Sequence, residues 1–197
     1  IAGSIYALLT LGFNLTYSTA KFIDMGFGVL TAVGGYSVFY ISKTLGLPLW
    51  LGVLAGVALS GLVSFLAYGF IYKPLRARKA SGAVLLIASL GVLTALQACI
   101  AILFTSQFQT LSGLLSGNRV FEILGGTFTA VQLSIFCIGA ALFALLAFLL
   151  KRTLFGKAIT AISDDEEVAK IVGINTDRIV GRVFFLSGAI GGLAGIL

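Results

Sequence analysis

Six stretches of this chain run for about 20 residues with almost no charge: residues 2–19, 22–41, 47–72, 83–104, 130–150, and from 183 onward. A run of that length matches the roughly 30 Å hydrocarbon core of a bilayer when it is helical. In lipid every backbone N–H and C=O has to be satisfied within its own segment, which makes a bundle of helices the expected form. The composition agrees, with 59 % hydrophobic and only 10 % charged residues, where soluble domains carry about a quarter charged. We therefore expect an all-α fold: a polytopic transmembrane helical bundle forming one domain over residues 1–197. The chain starts without methionine and stops inside an apolar run, so a missing stretch is expected at each end.

The charges set the expected orientation. Lys73, Arg76, Arg78 and Lys79 crowd one connection, and Lys151, Arg152, Lys157, Lys170, Arg178 and Arg182 another. Both should be cytoplasmic, since short cytoplasmic loops carry the basic excess. Two spans separate them, and the intervening connection, residues 105–129, holds only Arg119 and Glu122. That stretch, with Gly113, Gly117, Asn118, Gly125 and Gly126, is expected at a membrane surface on the external side, as is the loop at Lys43. The connection around Lys21 and Asp24 falls inside if residues 22–41 cross fully. Gly26, Gly28, Gly34 and Gly35 make a straight helix there doubtful, and whether the segment spans or re-enters stays open.

Several function classes are excluded by missing raw material. There is no histidine and only two cysteines, Cys99 and Cys137, both in apolar runs, so no metal site, disulfide framework or Cys/His nucleophile is expected. No paired carboxylates, histidines or nucleophile-and-base set converge within the spans, which leaves a membrane-embedded enzyme poorly supported. Phosphate-loop spacing is absent: Gly156-Lys157 lacks the upstream glycine and the following hydroxyl. Nucleotide chemistry must sit on another polypeptide, and the positive charge reports orientation rather than nucleic-acid binding.

Polar residues inside the spans are the candidates for function. Tyr6, Thr10, Asn14 and Tyr17 recur at spacings of four, four and three, which places them on one helix face. Such a face either lines a solute path or bonds to neighbouring helices. Asp24 is the one acid near membrane depth, hence a functional candidate. Gly26 and Gly28 beside it could let a helix break and aim backbone groups at a solute, and Lys21 could pair with Asp24. Gly52-x-x-x-Gly56, Gly188-x-x-x-Gly192 and Gly191-x-x-x-Gly195 read as tight helix crossings, and Gln97 as interhelical glue.

Residues 151–182 are far longer than a link between two spans requires. Ser163-Asp164-Asp165-Glu166 reads as a capping box, with Ser163 as N-cap and Glu166 at the third helical position. Val168, Ala169, Ile171 and Val172 supply an apolar face, and Gly173 a stop. Asn175 or Thr176 can cap a further helix into the last span. A short amphipathic helix of this kind lies on a membrane, packs on its own bundle, or enters a partner's groove.

At this point the chain resembles a known family, the inner-membrane permeases of branched-chain amino acid ABC transporters, which also include urea and amide importers. The resemblance covers nearly the whole chain. It rests on Gly3-Ser4-Ile5-Tyr6-Ala7-Leu8 with Gly12-Phe13-Asn14-Leu15-Thr16-Tyr17, on Lys73-Pro74-Leu75-Arg76 with Val84-Leu85-Leu86-Ile87-Ala88-Ser89-Leu90-Gly91, on Gly156-Lys157-Ala158-Ile159-x-Ala161 with Asp164, and on Ala169-x-x-x-Gly173-Ile174-Asn175-Thr176-Asp177-Arg178. Glu167-Val168-Ala169-x-x-x-Gly173 is similar to the family's ATPase-docking motif, commonly Glu-Ala-Ala-x-x-x-Gly. The run from Asp24 to Val29 departs from the family's usual Asn-Phe-Ala-His-Gly followed by an acid: the histidine is missing and the acid is shifted.

The resemblance implies a multi-pass permease of the inner membrane that does no covalent chemistry and holds no cofactor of its own, ATP being used by a partner. Its implied partners are membrane lipid, a second permease subunit in a homo- or heterodimer, two cytoplasmic ATPase subunits, and an external solute-binding protein. The solute would be a branched-chain amino acid or a related small polar amino compound. Tyr6, Thr10, Asn14, Tyr17, Asp24, Gly26 and Gly28 are the residues expected along its path. Ser163, Glu166, Glu167, Ala169 and Gly173 are expected to couple to the ATPase. The competing expectation is an ion-coupled carrier or channel without an ATPase. A membrane scaffold without transport activity is a third, supported only by the packing glycines.

Overall fold

The computed structural model describes residues 2–104, 120–123 and 126–197, with backbone only for residues 2, 44 and 120–135. Nine helices are defined among the described residues. Helix α1 covers Ala2–Ala20; α2, Phe27–Phe39, continues through a widened π turn at Tyr40–Thr44. Helix α3, Leu49–Ala67, runs through a second π turn, Tyr68–Tyr72, into α4, Lys73–Ala77. Then come α5 (Gly82–Phe104), α6 (Ala130–Arg152), α7 (Leu154–Asp164), α8 (Glu166–Ile171) and α9 (Thr176–Ile196). The expectation of a helical membrane bundle holds.

A hairpin interrupts the helices. Strand β1, Val120–Ile123, pairs antiparallel with β2, Gly126–Thr129, in the register Val120 to Thr129 and Ile123 to Gly126. It falls within the expected surface connection, whose residues Gly113, Gly117, Asn118, Arg119 and Gly125 lie outside the described residues.

Glycine and serine decide how closely the helices approach. Helix α9 is the centre: 56 % of its most apolar window is buried, against 17 % for α5. A Cβ on Gly34 would collide with the backbone of Gly192, one on Gly195 with the backbone of Thr31, and one on Gly188 with Ser64. A Cβ on Gly56 would stand 2.9 Å from the Gly34 carbonyl oxygen, and one on Gly52 2.6 Å from Ser42 Oγ. The glycine spacings read from sequence are therefore close crossings. At the same interface Ser60 Oγ lies 2.9 Å from the Leu30 carbonyl and 2.8 Å from that of Gly188, bridging α2, α3 and α9. Thr16 Oγ1 donates to Ser187 Oγ at 2.6 Å, and Ser187 to the Gly12 carbonyl at 2.9 Å, tying α1 to α9. Hydroxyls that satisfy one another between helices let small-residue surfaces meet without leaving a polar atom in an apolar layer.

These contacts fix the direction of α2. Leu30, Gly34 and Ser42 face Ser60, Gly56 and Gly52 in turn, so α2 runs antiparallel to α3 along its length and does not double back. Its 13 residues with the five of the π turn span about 27 Å at 1.5 Å per residue. Gly34 and Gly35 within it are packing contacts, and the break lies ahead of them: the helix begins at Phe27, after an irregular link from Lys21, whose φ is +59°. The run Leu49–Ala77 has 29 residues, about 43 Å, longer than the hydrocarbon core. Its last turns, with Lys73 and Arg76, therefore project past the apolar layer.

The expected 151–182 segment is built differently from its sequence reading. It holds two helices, and α6 meets α7 at 77°. Thr153 caps α7, its Oγ1 accepting from Gly156 N at 3.1 Å. Gly156 sits against the Leu149 and Leu150 carbonyls, where no Cβ fits; that is the physical reason for the glycine in the Gly156-Lys157 run. The last span starts at Thr176 rather than at Val183, because Asn175 Oδ1 caps α9 by accepting from Arg178 N at 3.1 Å.

Candidate functional site: a braced helix at the basic end

Helix α8 begins at Asp165, not at Ser163. Asp165 has extended backbone, φ −151° and ψ 115°, and its Oδ1 accepts from Glu167 N at 2.8 Å and Val168 N at 3.1 Å. Ser163 lies in the last turn of α7, where its carbonyl accepts a hydrogen bond from Lys21 Nζ. The helix cap thus lies two residues later than the spacing suggested, and with Val168 at its third position it is a single aspartate cap rather than a capping box. α7 extends to Asp164, and Asp165 is the first residue free to leave helical geometry. The stop is as read: Gly173 has φ +91°, Gly173 N donates to the Lys170 carbonyl and Ile174 N to that of Ala169, both at 3.0 Å. That pair of bonds is a Schellman motif.

This short helix has a fixed side and an open side. Ala169 is 2 % exposed and packs into a buried cluster with Tyr68, Tyr72, Ile162, Val180 and Phe184. Glu166 accepts from Arg76 Nη2 at 2.6 Å and pairs with Lys170 Nζ at 2.8 Å. Burial pushes the Glu166 carboxyl up, but the hydrogen bond from Lys170 and the charge of Arg76 outweigh it and hold it below its usual range. Facing outward are Val168 at 53 %, Ile171 at 83 % and Val172 at 74 % exposure, with Glu167 beside them. Exposed branched side chains on a capped, ion-paired helix form a rigid apolar knob.

The residues expected along a solute path fall in three places. Tyr6, Thr10, Asn14 and Tyr17 are all exposed along one face of α1. Among the described residues Thr10 Oγ1 bonds its own helix, at the Tyr6 carbonyl, while Asn14 borders a cavity of about 250 Å³ with Ser18, Thr160 and Ser163. A Cβ on Gly28 would meet nothing within 4 Å among the described residues, and Gly28 borders a groove of about 390 Å³ between α2 and α5, with Tyr36 and Gln97.

Asp24 and Gly26 form the third place, a buried knot. Asp24 is 6 % exposed, and its Oδ1 accepts from Tyr72 OH at 2.8 Å and Gly26 N at 2.9 Å. The expected Lys21–Asp24 pair is not made, since Lys21 turns away to Ser163. Gly26 is tightly enclosed: a Cβ would stand 3.1 Å from Asp24 Oδ1 and 3.2 Å from Val92, so either side chain would have to give by a few tenths of an ångström. Sequence reading missed Tyr72 and Asp165 as site residues. The Tyr68-x-x-x-Tyr72 spacing beside a basic run was the available signal.

The family described as branched-chain amino acid transport system / permease component matches residues 1–197. The high-affinity branched-chain amino acid transport system permease protein LivH of Escherichia coli is 28 % identical over 99 % of this chain, which covers 66 % of that protein. The equivalent BraD of Pseudomonas aeruginosa is 27 % identical over 99 % of the chain and 66 % of its own length. A probable branched-chain amino acid transport permease protein of Methanocaldococcus jannaschii reaches 31 % over 99 % of the chain and 62 % of its own. This chain thus spans about two thirds of the length of the curated relatives it matches. No solved structure matches it.

Proposed function

The chain belongs to the permease family of branched-chain amino acid transport systems, and from that premise we propose that it is the multi-pass, inner-membrane permease subunit of an ATP-driven importer. A permease of this kind is a transport component rather than an enzyme. The solute is a branched-chain amino acid or a related small polar amino compound, received from an external binding protein. ATP is used by cytoplasmic ATPase subunits, and a second permease subunit completes the pathway.

The observation that carries this reading is the knob on α8. Val168, Ile171 and Val172 are exposed on a helix outside the apolar spans, at the end where the basic residues collect. Apolar side chains presented to water on a rigid helix suit insertion into a partner's groove. Movement of the ATPases would drive α8 as a lever and switch the bundle between its two faces. The open faces are suited to the solute: the α1 face at Tyr6, Thr10, Asn14 and Tyr17, and the α2–α5 groove at Gly28 and Gln97. An ion-coupled carrier would need Asp24 free to take up an ion, and Asp24 is bonded to Tyr72 and Gly26.

The test is a detergent pull-down of the full-length permease, wild type beside Glu167→Arg and Ile171→Asp. Retention of a subunit with an ATP-binding fold by wild type and its loss from both variants supports the reading. Wild type that holds no such subunit refutes it.

A further inference from the structure

The braced helix and the buried knot are connected through one rigid piece of α3 and α4. Arg76 holds Glu166 on α8 at 2.6 Å. Four residues earlier, one helical turn away, Tyr72 OH donates to Asp24 Oδ1 at 2.8 Å. The same Oδ1 takes the N–H of Gly26, the residue immediately before α2. The piece between is stiffened by aromatic packing: Tyr72 lies 5.0 Å from the Phe22 ring and 5.4 Å from that of Phe184, and Tyr68 stacks on Phe184 at 4.9 Å. On the far side of the link, Met25 N donates to Ser89 Oγ on α5 at 3.1 Å. The two helices that border the Gly28 and Gln97 groove, α2 and α5, are therefore both fastened at this knot.

We propose that Arg76 and Tyr72 are positioning residues that carry movement of α8 to the start of α2. The inference rests on the importer reading above and adds to it a route. Arg76 is suited to transmit force because its side chain is only 13 % exposed. A desolvated guanidinium gains from following its carboxylate rather than separating from it. Tyr72 is suited because its hydroxyl and the N–H of Gly26 converge on one oxygen, so any shift of the ring re-aims the first turn of α2. Gly26 permits this close approach, its missing Cβ leaving the space that Asp24 and Val92 occupy. Contiguity alone does not establish coupling, so the measurement must read coupling itself.

The experiment uses the full-length permease with its ATPase and partner subunits in proteoliposomes, with labelled leucine as probe. Leucine moved per ATP hydrolysed is compared for wild type, Tyr72→Phe, Arg76→Glu, Glu166→Arg and the charge-swapped double variant. Tyr72→Phe keeps the ring stack and removes only the hydroxyl. The expected result is that Tyr72→Phe and both single charge variants retain the ATPase but move about fivefold less leucine per ATP or lower, and that the swap recovers most of the loss. An unchanged ratio in Tyr72→Phe, or a swap that recovers nothing, overturns the proposal. Release of the ATPase by Arg76→Glu overturns it too, because Arg76 would then only shape the docking surface. A wild-type complex that holds no ATPase would instead refute the importer reading.

Discussion

Arg76 Nη2 and Glu166 Oε2 stand 2.6 Å apart although 90 positions separate them in the chain. The pair joins the two basic connections, which the charge pattern assigns to the same side of a membrane. It also sets the orientation of α8: with Glu166 drawn toward α4 and Ala169 buried, Ile171 and Val172 are left facing out.

The Glu166 carboxyl is held below its usual range, so its contribution to stability has a defined pH window. A carboxyl with a lowered folded value stabilises fully above its unfolded value, near 4.5, and loses that contribution as pH falls through the folded one. The thermal midpoint of wild type in detergent should exceed that of Glu166→Gln by a constant amount from pH 7 to 5, equivalent to about 1–2 kcal/mol. The gap should close at lower pH. A gap that persists unchanged at the acid end would show that the charge is not its source.

Because Asp165 caps α8, Asp165→Ala should destabilise the helix by about 1 kcal/mol, while Ser163→Ala should leave it unaffected. Hydrogen exchange of the Glu167 and Val168 amides reads this directly, since both N–H groups bond Asp165. Faster exchange in the serine variant and not in the aspartate variant would restore the sequence-based cap.

Glycines of similar appearance should respond differently to one added methyl group. A Cβ on Gly192 would stand 2.5 Å from Ser60 Cβ, whereas Gly28 has open space. Gly192→Ala should lower stability by about 1–3 kcal/mol through forced separation of α3 and α9, and Gly28→Ala by little. Thermal unfolding of the purified variants separates them, and equal effects would contradict the packing described here.

Two polar residues of α1 should divide by face. Thr16 is buried and bonded to Ser187, so Thr16→Val should cost about 0.6 kcal/mol of stability with uptake per folded molecule unchanged. Asn14, on the open face, should do the reverse: Asn14→Ala should alter leucine uptake at unchanged thermal stability. The outcome that counts against the solute-path reading is normal uptake in Asn14→Ala.

Much of the site was legible because it depends on local rules. The α8 stop at Gly173, the cap of α9 at Asn175 and the glycine crossings each follow from a few neighbouring residues. The cap at Asp165 was misread because Ser163, with Glu166 three residues on, fits the capping-box spacing, and only the reach of α7 shows that Ser163 is still helical. The Lys21–Asp24 pair was misread for a similar reason: three-residue spacing implies contact only on a helix, and the chain there is irregular.

What the sequence by itself determined is the helical character of the apolar runs, three of which form single helices of membrane-crossing length among the described residues, their close-packing glycine faces and the short amphipathic helix near residues 166–171, since hydropathy, glycine spacing and end chemistry act over one or two turns. Tertiary structure alone decided that Arg76 would meet Glu166, that Tyr72 would bond Asp24, and that Ser60 would bridge three helices. Those contacts join residues 30 to 128 positions apart, and the sequence pattern within either partner's helix is the same whether or not they form.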